Sequence, residues 1–567
     1  MPRNHARAGG LIALLTLLLT ACAARPSIPA PTLDPTPPAA ASPPNPVGLT
    51  ATPAPAGVYI QPGVPGDIVS RVMPVLAQAG YAQQGTPDGA AVRVVLNPGP
   101  EAALTAQWVY AMVAPFPTVP DGVSWAGFTG YWQRTDASGL GGFNPAPRIA
   151  LAADEADLLI AVIGPGAAGL PLDLVGPGQA SQLVELAWNV RPSLSVVPFE
   201  RLEPRWKVLT VDGQSPLDAA FDPAAYPLTV QVGVIANGEA GAQAVAQLQA
   251  SGVWQTTNHD PARLVRVVMT GVTALSRATA MQMELRGMDF PARQILPFLA
   301  EADILHISNE ASFAADCPEP DWYGEPRFCS QPDYYALLES IGTDIVELTG
   351  NHNNDWGTAA TNATLDLYDA RGLPYFGGGR SLDDAVAPRV LIAPDGTRLA
   401  FLGCNSAGPY TAWATSGSPG AAPCEDWTRI RQQIADLKAS GQADVVIVTV
   451  QYLELDSYSP SNQQRADFEA LARAGADVVS GSQAHQPQGF AFVDGHFIHF
   501  GVGNLFFDQI DYVENRQMFA DRHVFYAGRH ISTALFTGWF EEVGQPRPMT
   551  PEERAGFLQT IFAASGW

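Results

Sequence analysis

Three observations predict an exported chain with two α/β domains, the second larger than the first. The 567 residues exceed what one hydrophobic core holds, so two or three domains are expected. Strand-length apolar runs alternate with helical stretches, and polar residues stand repeatedly just after those runs. A short basic and apolar leader opens the chain, followed by a proline-rich stretch.

Composition narrows the class of partner. Lys plus Arg number 31 against 55 Asp plus Glu, a formal charge of −24. Such an acidic surface repels nucleic acid and anionic lipid headgroups, so no nucleic-acid partner is expected. Charged residues make up only 15% of a chain rich in Ala, Gly and Pro, which reads as a globular protein with a proline-rich part.

The leader contains Arg3, His5 and Arg7, then an apolar run over 11–19 that is too short for a lasting membrane span. LTAC at 19–22 resembles the lipobox of bacterial lipoproteins. In that class cleavage precedes the cysteine, so residues 1–21 would be a lipoprotein signal peptide and Cys22 the lipid-bearing first residue. An ordinary signal peptide with cleavage nearby is the alternative. Residues 22–57 are mostly Pro, Ala, Ser and Thr, which cannot bury a core and suit a semi-rigid tether. The remaining cysteines, Cys317, Cys329, Cys404 and Cys424, form two locally spaced pairs in an exported chain. Two disulfides, 317–329 and 404–424, are expected, each contributing roughly 3 kcal/mol if unstrained. A metal site is the lesser reading, because no C-x-x-C spacing occurs.

A first α/β region covers 58–255, with apolar and amphipathic stretches such as AVRVVL at 91–96 and DLLIAV at 157–162. Its phrases AQWVY (106–110), PTVPDGV (117–123), RWKVL (205–209) and VDGQSP (211–216) follow one another in an order that resembles a periplasmic substrate-binding domain of the phosphate type. No ligand motif transfers from that resemblance. A domain that merely spaces or docks the second region is the other reading.

The second region covers 262–567. LVRVVMTG (264–271) and DILHISNE (303–310) are strands, and the latter delivers Asn309 and Glu310 at its end. DIVEL (344–348) leads into TGNHNNDWG (349–357), which sets Asn351 and His352 side by side. RLAFLG (398–403), DVVIVTVQ (444–451), ADVVS (476–480) and HFIHF (496–500) complete the strand set, with helices near 333–341 and 461–474. Open α/β sheets hold ligands at the carboxyl ends of their strands, so Glu310, Asn351, His352, Gln451 and His485 should meet on one edge. An Asn oxygen suits a hard cation, and a neighbouring His can donate a proton to a departing oxygen. His306 lies within its strand and reads as a buried, hydrogen-bonded core histidine. His496 and His499 stand on opposite faces of theirs and cannot chelate together.

Assembled in order, SNE (308–310), GNH (350–352), DWG (355–357), GGGRSLDDA (377–385), AGAD (474–477), GSQAHQPQ (481–488) and GNLFFD (503–508) resemble the capsule-synthesis protein CapA family. These are poly-γ-glutamate capsule proteins with a calcineurin-like metallophosphatase fold, and the similarity spans roughly 265–510. The resemblance implies an α/β/β/α sandwich preceded by the smaller substrate-binding-like domain. It also implies divalent metal (Mn, Fe, Zn or Mg) on carboxylate, Asn and His ligands.

The chain departs from the family pattern at three points. Val272 follows Gly271 where the family has Asp, Gln451 stands where a His is usual, and GSQAH at 481–485 keeps only the last His of G-x-H-P-H. Glu310, Asn351 and His485 are therefore expected to hold one cation rather than two, with His352 as the catalytic general acid. Asn309, Gln451 and Gln483 are weaker oxygen ligands or substrate contacts. Asp355 and Asp508 would orient the ligands from behind, or serve loop structure alone.

The resemblance implies a lipid-anchored protein of the cell surface or periplasm. It would act in synthesis, export or anchoring of a capsule polymer, as a metal-dependent hydrolase or transferase. The alternative is a non-catalytic surface protein that binds a polymer or anion in a degenerate phosphatase cleft. Expected partners are the extracellular polymer or its synthesis machinery, and the membrane through the lipid.

Overall fold

In the second region, strands Arg398–Asn405, Val445–Gln451 and Val478–Ser482 are almost wholly buried along their length, as continuous apolar runs of a parallel sheet covered on both faces should be. The computed structural model describes residues 55–176 and 178–567. The expected signal peptide, Cys22 and nearly all of the expected tether lie outside these residues. The described residues pack as one compact unit. No helix among them is long and apolar enough to cross a membrane.

The three buried strands form the middle of a six-stranded sheet, completed by His496–His499, Arg389–Ile392 and Phe490–Val493. Four of the six run parallel, and antiparallel hairpins close both edges. A second sheet sets Leu264–Thr270, Ile304–Asn309, Ile345–Glu347 and Tyr375–Phe376 side by side in parallel. It continues antiparallel through Gln517–Tyr526, Arg529–Glu542 and Gln545–Pro548.

Three apolar cores define the layers. Val265, Val267, Phe401, Ile447, Phe497 and Phe519 fill the space between the two sheets, together with Phe557 and Ile561 of the last helix, Pro551–Ala564. Helices Arg277–Arg286, Tyr335–Ser340 and Thr358–Arg371 cover the outer face of the longer sheet. Helices Trp427–Ala439 and Asn462–Arg473 cover the outer face of the six-stranded one. The region is an α/β/β/α sandwich. Each fully buried Ile, Leu, Val or Phe contributes about 1.5–3 kcal/mol of burial, and a parallel sheet is stable only with both faces so covered.

The first region is also α/β. Its sheet turns about the long strand Leu104–Pro115, which pairs with Thr229–Ala236 through its first half and Ser193–Pro198 through its second. Residues 157–162 lie in the helix Ala153–Ile163. This region docks on the sandwich through side chains at several points. Phe116 sits edge-on to Phe490 at 5.3 Å and Phe497 at 5.6 Å. Arg529 donates to the carbonyls of Leu202 (3.0 Å) and Glu200 (2.9 Å). Asp121 pairs with Lys207 and Arg554. Burial works to raise the Asp121 carboxyl, but these two cations hold it at about 2.

Both expected disulfides are present, Cys317–Cys329 and Cys404–Cys424, with Cα atoms 5.8 and 5.0 Å apart. The first fixes the loop that carries Phe328.

Candidate functional site

The parallel strands of both sheets end on one edge of the sandwich, and the residues just past those ends face each other there. Gln451 is the centre. Its Nε2 donates to Glu310 Oε1 at 2.8 Å, to Asn351 Oδ1 at 3.2 Å and to Gln483 Oε1. Its own Oε1 accepts from Ser482 Oγ at 2.8 Å. Gly350 makes the approach feasible, because a Cβ there would lie 2.8 Å from the Cα of Glu310. Gln451, Glu310 and Gln483 are buried, while Asn351 and His352 are half-buried.

The TGNHNNDWG segment is both a turn and a site. Asn353 donates to the carbonyls of Leu348 (2.8 Å) and Gly350 (3.0 Å), closing the turn. Asn354 donates to Thr411 O and Pro419 O, tying the turn to the neighbouring loop. That leaves Asn351 and His352 to project. His352 Nδ1 bonds Asp355 Oδ2 at 2.7 Å, so the proton sits on Nδ1 and Nε2 is left free for chemistry.

His485 is held in the same way. Its Nδ1 meets Asn504 Oδ1 at 2.8 Å, while Asn504 Nδ2 donates to Gln509 O at 3.2 Å, which fixes the amide's direction. Each imidazole also packs on a phenyl ring: Phe328 lies 4.0 Å from His352, and Phe507 stacks on His485 at 5.1 Å. The Arg277 guanidinium lies 4.5 Å from the Phe328 ring centre and 5.4 Å from that of Phe507, and it pairs with Asp508. Asp508 touches neither histidine and is linked to them only through Arg277 and the two rings. Arg277 has a φ of +48°, a left-handed conformation that a non-glycine residue adopts only under constraint.

Glu310 carries the site's electrostatic tension. Burial raises its carboxyl above the ordinary range, while nearby His485 and His352 and the bond from Gln451 work to lower it. Its Oε2 is buried without a partner. Just below, Glu347 is held below its usual value. Burial acts to raise it, but His306 (Nε2 to Oε2, 3.1 Å) and the Thr349 hydroxyl outweigh that. His306 is therefore a hydrogen-bonded core histidine.

Asn309 does not join the cluster. Its Nδ2 donates to Ala311 O and to the Tyr368 hydroxyl on the helix side, because consecutive strand residues face opposite ways. Sequence reading missed Ser482, Asn504, Glu347, Arg277, Phe328 and Phe507. Asn504 stands in the quoted GNLFFD motif and was the most recoverable of them.

The donor set bears directly on the expected metal. Two of the three residues expected to hold a cation, Glu310 and Asn351, commit an oxygen to the Gln451 N–H donors. Val272 is fully buried and offers no ligand atom. Among the described residues, no group of three or more His, Cys, Asp or Glu is placed to hold a metal ion. The residues present fit an amide at the centre of the cluster and do not fit a two-cation cage.

Residues 266–509 match the family described as bacterial capsule synthesis protein PGA_cap. The chain is 26% identical over 249 residues to the capsule biosynthesis protein CapA of Bacillus anthracis, covering 43% of this chain and 60% of that protein. It is 24% identical over 228 residues to the PGA biosynthesis protein CapA of Bacillus subtilis (strain 168), covering 40% and 59%. The matches thus span about 60% of these relatives' length. An ABC-type phosphate transport receptor from Vibrio cholerae aligns over 35% of this chain and 96% of its own at 11% identity, with a TM-score of 0.28, too low to carry weight. Over residues 266–509, which make up most of the sandwich, the chain is similar to the bacterial capsule synthesis proteins.

Proposed function

We propose that this chain acts outside the cytoplasm, anchored by a lipid on Cys22, in the synthesis, export or anchoring of a poly-γ-glutamate-type capsule polymer. The polymer is handled at the strand-end cleft. One observation carries the reading: the segment matching the capsule-synthesis family is the segment that gathers Glu310, Asn351, His352, Gln451, Gln483 and His485 at one edge. Half-buried Asn351 and His352 form the mouth, and the amides behind them suit a polymer rich in amide groups.

The test is deletion in the native host, followed by complementation. Cell-bound polymer should fall on deletion, return with the wild-type chain and stay low with Glu310→Gln. Unchanged polymer after deletion would refute the role. Cys22→Ala should release the protein from the membrane fraction, and retention there would refute the lipid anchor.

A second reading, hydrolysis or transfer within the polymer, is favoured by the His352–Asp355 pair. An imidazole oriented through Nδ1 with Nε2 free is equipped for general acid–base work. Purified protein should then shorten the polymer on size exclusion, and His352→Ala should stop it. Unaltered polymer with wild-type protein leaves binding as the mode of action.

A further inference from the structure

Three side-chain oxygens, delivered by three different strand ends, converge on one nitrogen. Glu310 Oε1, Asn351 Oδ1 and Gln483 Oε1 all accept from Gln451 Nε2, although an amide NH₂ has only two hydrogens. Convergent oxygens of this kind, one of them from a carboxylate, ordinarily surround a hard cation. Here they surround an N–H donor.

The direction of the amide is set by its surroundings. Ser482 Oγ stands 2.8 Å from Gln451 Oε1 and 3.2 Å from Glu347 Oε1, so its one proton is shared between them, whereas the Glu310 carboxylate on the other side is an acceptor only. Turning the amide over would press Oε1 against three acceptor oxygens. A second observation shows that the cluster is constrained: Gln483 has a φ of +76°. A non-glycine residue in that region is strained, and the strain is retained only where its neighbours over-determine its position. The remaining carboxylate oxygen, Glu310 Oε2, is buried and unpartnered.

We propose that the Gln451 amide is a built-in, neutral stand-in for a cation, so that the cleft is organised without a divalent ion. The partial positive charge of the NH₂ group gathers the oxygens that a metal would otherwise gather, and the acceptor-only Glu310 carboxylate keeps it in that orientation. The cleft then has no Lewis acid, and its ligands are recognised by hydrogen bonds. This goes beyond the capsule reading and does not depend on which polymer is handled.

The inference predicts that changing the donor to an acceptor creates the metal site that the native residue replaces. Gln451→Glu places a fourth oxygen among Glu310, Asn351 and Gln483, a hard set suited to Mn²⁺. Full-length wild-type and variant protein, stripped with chelator, would be titrated with MnCl₂ by calorimetry. Elemental analysis and thermal unfolding with and without Mn²⁺ would follow.

The expected result is far less than one metal per wild-type chain and no shift in its unfolding midpoint. The variant should take up close to one Mn²⁺, with affinity at least about 100-fold higher and a metal-dependent rise in midpoint. Gln451→His, which adds a nitrogen ligand instead, serves if the Glu variant does not fold. Stoichiometric Mn²⁺ on the wild-type chain, lost in Glu310→Gln, would overturn the proposal. So would folded Gln451 variants that bind no more metal than wild type. None of these outcomes alters the polymer assay, so the two readings fail separately.

Discussion

The sandwich holds two clusters of polar side chains that use the same residue types for opposite ends. One is the strand-end cleft around Gln451. The other lies deep between the sheets, where His499 meets acceptors on both ring nitrogens, Asp521 Oδ2 at 2.5 Å and Gln488 O at 3.1 Å. Beside it, His523 bonds the Thr533 hydroxyl, and His530 bonds Ser532 O and Thr533. In the cleft, His352 engages one nitrogen and leaves the other free at the half-buried mouth, with His485 buried behind it on Asn504. In the core, the histidines are buried and serve packing and pairing. Position decides this: the cleft residues gather at or just past the carboxyl ends of parallel strands, while His499, His523 and His530 lie enclosed between the sheets.

The comparison would break first at His499. His499→Ala leaves the buried Asp521 carboxylate without its partner, and an uncompensated buried charge costs about 3–5 kcal/mol. Urea unfolding should show that loss. A loss below about 1 kcal/mol would mean that the core pair does not stabilise the fold.

Acid comes next. Burial lowers the His530 imidazole to about 3 and depresses His523 well below its usual value. Both stay neutral in the fold but take up protons in the unfolded chain near pH 6.5, so the unfolded state binds more protons below that point. Stability is full above about pH 6.5 and falls as pH drops toward 3, by at most about 1.4 kcal/mol per unit for each histidine. Urea midpoints at falling pH should follow that slope, and His530→Phe should flatten it. A slope unchanged in that variant would place the acid sensitivity elsewhere.

Gln451→Leu should cost about 1–3 kcal/mol in the absence of metal, because oxygens of Glu310, Asn351 and Gln483 lose their shared donor. A neutral or stabilising result would show that these oxygens are satisfied in another way. The smallest stability effect belongs to His352→Ala, under about 1 kcal/mol for a partly exposed pair. A large loss of stability there would make His352 a structural residue like His499.

These contrasts also show what the sequence could disclose. The α/β class was legible because runs such as 445–451 are apolar on both faces, the sandwich came from the family resemblance, and the site's edge was legible because polar residues follow those runs. Two disulfides followed from local spacing in a chain whose leader reads as an export signal. Asn309 was read as a ligand although strand alternation turns it away from Glu310. The role of Gln451 was hidden for another reason. A glutamine presents an oxygen or an N–H pair, and only its surroundings choose between them. Arg277 opens a helix and Phe328 sits in a loop, both far in sequence from Phe507 of the GNLFFD motif, and no spacing marks the three as the bracket behind His352 and His485.

The most direct test is anomalous diffraction from wild-type crystals soaked in Mn²⁺. The account predicts no anomalous peak among Glu310, Asn351 and Gln483, with the Gln451 amide in its place and Ser482 on its oxygen. A manganese peak at that position, with Gln451 turned away, would contradict it.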